Sequence, residues 1–120
     1  MTAAGHPAQH ASFKLLAQDL EVGGSDAQRQ WALVMIFYAA LHVIQGTLIM
    51  NPGSVPPPAD HTDRANELYN RYGHIAAAKP AVWAYLRLHR RANKARYEGY
   101  APIDLVQAWD DLRKIERYIV

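Results

Sequence analysis

The sequence predicts an all-α fold: one up-and-down bundle of about five helices, forming a single domain over residues 1–120. Three observations carry that reading. Residues 31–50 (WALVMIFYAALHVIQGTLIM) form an uncharged, mainly apolar run, as expected of a helix surrounded on all sides by others. Apolar residues elsewhere recur at helical spacing, and no segment reads as a strand. Clusters of Gly and Pro cut the chain into helix-length pieces.

The first helix is read over about residues 7–21, with Phe13, Leu16 and Leu20 as its apolar stripe, and Gly23-Gly24 ends it. Ser25 and Gln28 then have the spacing of a capping box, in which a hydroxyl and an amide satisfy two backbone N–H groups reciprocally. That opens a long second helix over residues 26–50, about 37 Å at 1.5 Å per residue. Residues 51–60 (NPGSVPPPAD) hold four of the seven prolines and break it. A third helix is read from Asp60 to Gly73, and Pro80 suits the first turn of a fourth, over about residues 80–97. Residues 99–102 (GYAP) prepare a fifth over about residues 103–119, with Leu105, Trp109, Leu112 and Ile119 at helical spacing. Short connections make neighbouring helices antiparallel, so helices two and four are expected to run the same way. The end of helix two, the start of helix three and the end of helix four would then share one pole.

Composition narrows the function classes. The chain has no Cys, which removes disulfides and thiolate metal sites and points to a reducing, cytoplasmic setting. The N-terminus has no basic cluster followed by an apolar core, so no signal peptide is read. A net charge of +2 does not by itself imply nucleic-acid binding. The run at 31–50 has the length of a membrane span, but His42, Gln45 and Thr47 interrupt it, and the mean hydropathy is −0.24. A soluble protein with no membrane partner is expected. His6 and His10 are the only metal-like spacing, and HExxH and Cys pairs are absent. Neither a metal site nor a cofactor is expected, and no catalytic residue is assigned.

The informative polar residues lie on otherwise apolar faces. Tyr38, His42 and Gln45 fall on one stripe of helix two. On helix four, Val82, Tyr85, Leu86, His89, Ala92, Asn93 and Arg96 share a face that begins apolar, so His89, Asn93 and Arg96 should look towards the core or a cleft. Two readings stand: a polar network that fixes packing, or a cleft for an anionic ligand with Arg96 as a fork-shaped donor. His61 and Arg64 open helix three, where a basic residue runs against the helix dipole. Arg87, Arg90, Arg91 and Lys94 lie on the other sides of helix four, where they read as a solvated charged face or, as the alternative, a phosphate-tracking surface; interleaved stacking aromatics are not evident among them.

Three segments resemble a known family. They are Trp31-Ala-Leu-Val with Phe37-Tyr-Ala-Ala-Leu-His42 on a long helix, His61-x-x-Arg64 after a Pro-containing loop, and Ala95-Arg-Tyr97-Glu-Gly-Tyr100 before a final amphipathic helix. Together they resemble the HEPN superfamily (higher eukaryotes and prokaryotes nucleotide-binding domain), especially its small stand-alone prokaryotic members. The resemblance implies a helical bundle that commonly dimerises, and a role in toxin–antitoxin, defence or RNA-processing systems. It also implies, for some relatives, a metal-independent ribonuclease built on Arg-x(4–6)-His. Here the spacings are Arg64-x(9)-His74 and Arg71-x(2)-His74, so that motif is absent. The matching positions, Tyr38, His42, His61, Arg64, Arg96 and Tyr97, join His89 and Asn93 as candidate ligand-binding residues. The expected function is a HEPN-like, homodimeric binding module for a nucleotide, RNA or a cognate partner protein, with catalysis left open and disfavoured by the missing motif. The alternatives are a divergent ribonuclease using His42, His61 or His89, and a structural partner subunit.

Overall fold

The computed structural model describes residues 5–50, 66, 68–70, 75–98 and 105–119, with the side chains of 9–44, 66, 68–70, 75–97 and 105–117. All of its regular structure is helical: α1 (Gly5–Gly23), α2 (Asp26–Met50), α3 (Lys79–Glu98) and α4 (Leu105–Ile119), with Asn66 and residues 68–70 helical as well. No strand occurs among the described residues. The third helix expected from sequence falls largely outside them, as do His61 and Arg64.

The turn between α1 and α2 follows its sequence closely. Gly24 takes φ 77°, a left-handed conformation open to glycine without steric cost, and its N–H donates to the Leu20 carbonyl at 3.3 Å. Ser25 Oγ accepts from the Gln28 N–H at 3.1 Å, while Gln28 Oε1 accepts from the Ser25 N–H at 3.1 Å. This is the reciprocal cap that the spacing of the two side chains predicts.

Helix α2 is the centre of the core. Leu33, Ile36, Phe37, Ala40 and Ile44 are buried on it, against Ala17 of α1, Tyr85, Leu88 and Ala92 of α3, Leu112 and Ile115 of α4, and Leu68. Alanines lie where helices meet (32, 39 and 40 on α2; 81, 84, 92 and 95 on α3), and small side chains let helix axes approach closely. On α1 the stripe is Phe13, Ala17 and Leu20, not Phe13, Leu16 and Leu20: Leu16 is exposed. The shift arises because α1 is an outer helix with room to bury only a narrow face. Among the described residues, no helix is long and apolar enough to cross a membrane.

Contacts fix the directions of the helices. Gln30, near the start of α2, donates its side-chain amide to the carbonyl of Ala95, near the end of α3. Seven residues on, Phe37 packs against Tyr85 and His89, earlier in α3, at ring separations of 5.8 and 5.4 Å. These two helices are therefore antiparallel, which corrects the expected parallel arrangement. His10 meets Glu116 and Glu21 meets Trp109, so α1 and α4 are antiparallel too. The four long helices alternate up and down, and the chain leaves α2 and enters α3 at one pole. The aromatic packing around Phe37 decides the direction of α3.

Candidate ligand-binding cleft

A cleft of about 260 Å³ opens between α2 and α3, lined by Phe37, Tyr38, His89, Ala92, Asn93, Arg96 and Tyr97. The α2 residues project from the part of that helix that α3 does not fully cover: Phe37 is buried, while Tyr38 is half-buried. The α3 residues recur at 89, 92/93 and 96/97, one helical turn apart, along the flank of its buried face. The cleft is thus a seam between two antiparallel helices, left open because the side of α3 facing it turns polar after Leu88.

Its chemistry centres on Arg96. Arg96 Nη1 donates to Tyr38 Oη at 2.9 Å, and the guanidinium carbon lies 5.1 Å from the Tyr97 ring centroid and 5.8 Å from that of Tyr38. A cation held between two rings is favoured by their quadrupoles, and a phenol that orients it adds no opposing charge. The Tyr38 ring is in turn held by Phe13 of α1 at 5.5 Å and by Phe37 at 5.8 Å. His89 stacks on Phe37, 5.4 Å away with planes 27° apart, which sets its imidazole against the wall of the cleft. Asn93 is exposed beside it, and Tyr97 is 71% exposed at the mouth. The described lining contains a cation, an imidazole, an amide and two phenols, and no carboxylate. Such a set suits an anionic group next to a flat, apolar one.

Of the eight residues singled out in the sequence, the structure brings five together: Tyr38, His89, Asn93, Arg96 and Tyr97. His42 is elsewhere. It is 8% exposed and stacks on Phe13 at 5.4 Å, one turn beyond Tyr38. Because α3 runs antiparallel to α2, Arg96 near its end reaches towards the earlier turn of α2, and so meets Tyr38 and not His42. His61 and Arg64 lie outside the described residues, and so does the side chain of Gln45. Sequence reasoning missed Phe37 as the wall on which His89 rests. Its place on an apolar run reads only as core, and the only hint was its position beside Tyr38.

Two ionic clusters lie away from the cleft. Asp111 is fully buried and accepts from Arg87 Nε at 3.0 Å and Nη2 at 2.5 Å and from Gln107 Nε2 at 2.9 Å. The hydrogen bonds to Asp111 raise the Arg87 pKa further above its ordinary value. Glu116 accepts from His10 at 2.7 Å and Lys14 at 2.9 Å, and the His10 bond, followed by Lys14, holds its carboxyl below the ordinary range. Among the described residues no group of three or more His, Asp or Glu side chains gathers as a metal site would require.

Compared with known proteins, the chain matches no family model, no curated protein and no solved structure.

Proposed function

We propose that the cleft between α2 and α3 binds a phosphate-bearing ligand, a nucleotide or one nucleotide of an RNA chain, in a module of HEPN-like character. The observation that carries this is the placement of Arg96. A guanidinium oriented by Tyr38 and flanked by the Tyr97 ring combines a fork for phosphate with an aromatic face for a base, within one nucleotide's reach. The absence of any carboxylate in the described lining favours an anion over a cation. Arg96 would hold the phosphate, Tyr97 would stack on the base, and His89 and Asn93 would meet its polar edge. A volume near 260 Å³ lies just below the usual range for small-molecule sites (about 300–1,000 Å³), which suits a single nucleotide and not a large cofactor.

Titration calorimetry with nucleoside monophosphates tests the reading. Arg96→Ala should weaken binding about tenfold or more while leaving the melting temperature unchanged, since Arg96 is exposed. Unchanged affinity in a folded variant removes the proposal.

His89 favours a second reading. It lines the same cleft as Arg96, so a divergent, metal-independent ribonuclease could use it as acid or base while Arg96 holds the phosphate. Labelled RNA incubated with excess protein in EDTA separates the two: cleavage that disappears in His89→Ala supports the enzyme, and intact RNA supports binding alone. Dimerisation and a toxin–antitoxin or defence context rest on the family resemblance and are tested by light scattering and by co-purification from the native host.

A further inference from the structure

The side of α3 turned away from the core carries a second pattern. Helix α3 holds six Lys or Arg residues against one Glu, nearly half of the thirteen basic residues in the chain. Trp83, Arg90, Lys94 and Tyr97 stand at i, i+7, i+11 and i+14, which at 100° per residue places them within a narrow outward stripe. All four are exposed; Trp83 is 55% exposed although it is among the most costly side chains to leave in water. The stripe therefore has an aromatic ring at each end and two cations between, over about 21 Å of helix. Tyr97 is shared, since it also forms the mouth of the cleft. The rings needed to interleave with the basic residues, not evident in the sequence, are these two once the outward face of the helix is known.

We propose that this stripe is a track for a single-stranded nucleic acid, running from the cleft at Tyr97 along α3 to Trp83. It rests on the reading of the cleft as a nucleotide site and extends it from one nucleotide to a strand. Stacking on exposed rings and attraction of the backbone to cations between them is how single strands are held without reading sequence. The cleft, about 260 Å³, has room for about one nucleotide, so a longer ligand would continue across the surface. From Tyr97 the outward stripe of α3 offers both the charge and the rings. A duplex fits poorly, because its bases are already stacked on each other and cannot lie on Trp83.

Fluorescence anisotropy with labelled oligo(U) of two, four and eight nucleotides, beside calorimetry with UMP, tests the proposal. Affinity should rise at least tenfold from dinucleotide to octanucleotide. Trp83→Ala, and separately Arg90→Ser with Lys94→Ser, should remove most of that gain and leave UMP affinity unchanged. Trp83→Phe should restore it. The double variant should also lower the slope of log affinity against log salt by about 1.4, as expected for two lost phosphate contacts to a single strand. Equal binding of oligo(dT) supports the track equally, since rings and cations do not read the 2′-hydroxyl. Length-independent affinity with intact UMP binding overturns the track but not the cleft. Absence of UMP and oligonucleotide binding overturns both. Duplex binding as tight as single-strand binding, unaffected by Trp83→Ala, reduces the stripe to charge alone and overturns the proposal.

Discussion

Arg96 and Tyr38, fifty-eight residues apart in sequence, are joined across two antiparallel helices by a hydrogen bond of 2.9 Å. The bond orients the guanidinium, and Phe13 and Phe37 pack against the ring that receives it. If the cleft binds phosphate, the orientation of the guanidinium should matter as well as its charge. Tyr38→Phe keeps the ring and loses the acceptor, so ligand affinity should fall about three- to tenfold with a stability change below about 1 kcal/mol. Arg96→Lys keeps the charge but loses the planar fork, and should recover only part of the affinity lost in Arg96→Ala. Calorimetric dissociation constants read both outcomes.

The Arg87–Asp111 pair should matter to stability far more than to binding. Asp111 is fully buried on α4, and Arg87, one-third exposed on α3, is its only cationic partner among the bonds described above. Arg87→Met deprives a buried carboxylate of its cationic partner, and should cost about 2–3 kcal/mol by chemical denaturation, somewhat less than a fully buried broken pair. Arg87→Met combined with Asp111→Leu should recover most of that loss. A single variant as stable as the wild type would show that the pair is not what holds α4 to α3.

The Glu116 cluster should give stability a dependence on acid. The carboxyl pKa is lowered in the folded chain, so the unfolded chain binds its proton more readily. The contribution is complete above the ordinary value of 4.5 and is lost as pH falls through the lowered native value. Glu116→Gln should therefore be less stable than wild type by about 1 kcal/mol at pH 7, a modest figure because Lys14 and the rest of the cluster are partly exposed. The two denaturation curves should converge as pH falls below the lowered native value.

The turn between α1 and α2 should be sensitive to both of its special residues. Ser25→Ala removes the hydroxyl that caps α2 and should cost about 1 kcal/mol. Gly24→Ala places a Cβ at φ 77° and should cost a similar amount. Thermal denaturation followed by circular dichroism reads both, and the two losses should not simply add, since the residues share one turn.

Much of the architecture was legible in the chain. The uncharged run at 31–50 reads as a central helix because few other arrangements bury so much apolar surface, and α2 is that helix. Ser25 and Gln28 read as a cap because the chemistry is local, complete within four residues. Tyr38, His89, Asn93 and Arg96 were legible as polar groups on apolar faces, since helical periodicity alone assigns a face. His42 obeys the same periodicity as Tyr38, yet it stacks on Phe13 outside the cleft. One turn of helix separates a cleft residue from a core residue, and periodicity does not resolve that difference.

The sequence by itself determined that α1 to α4 are helical, where α2 begins, and, apart from Leu16 on α1, which side of these helices is apolar, because these depend on residues within a turn or two of one another. Tertiary structure alone decided that α3 runs opposite to α2, that Arg96 reaches Tyr38, and that the stripe of Trp83, Arg90, Lys94 and Tyr97 faces outward. Those facts depend on how Phe37 packs against Tyr85 and His89, nearly fifty residues away or more. Such packing is chosen by the shape of the whole core, and no local pattern in the chain encodes it.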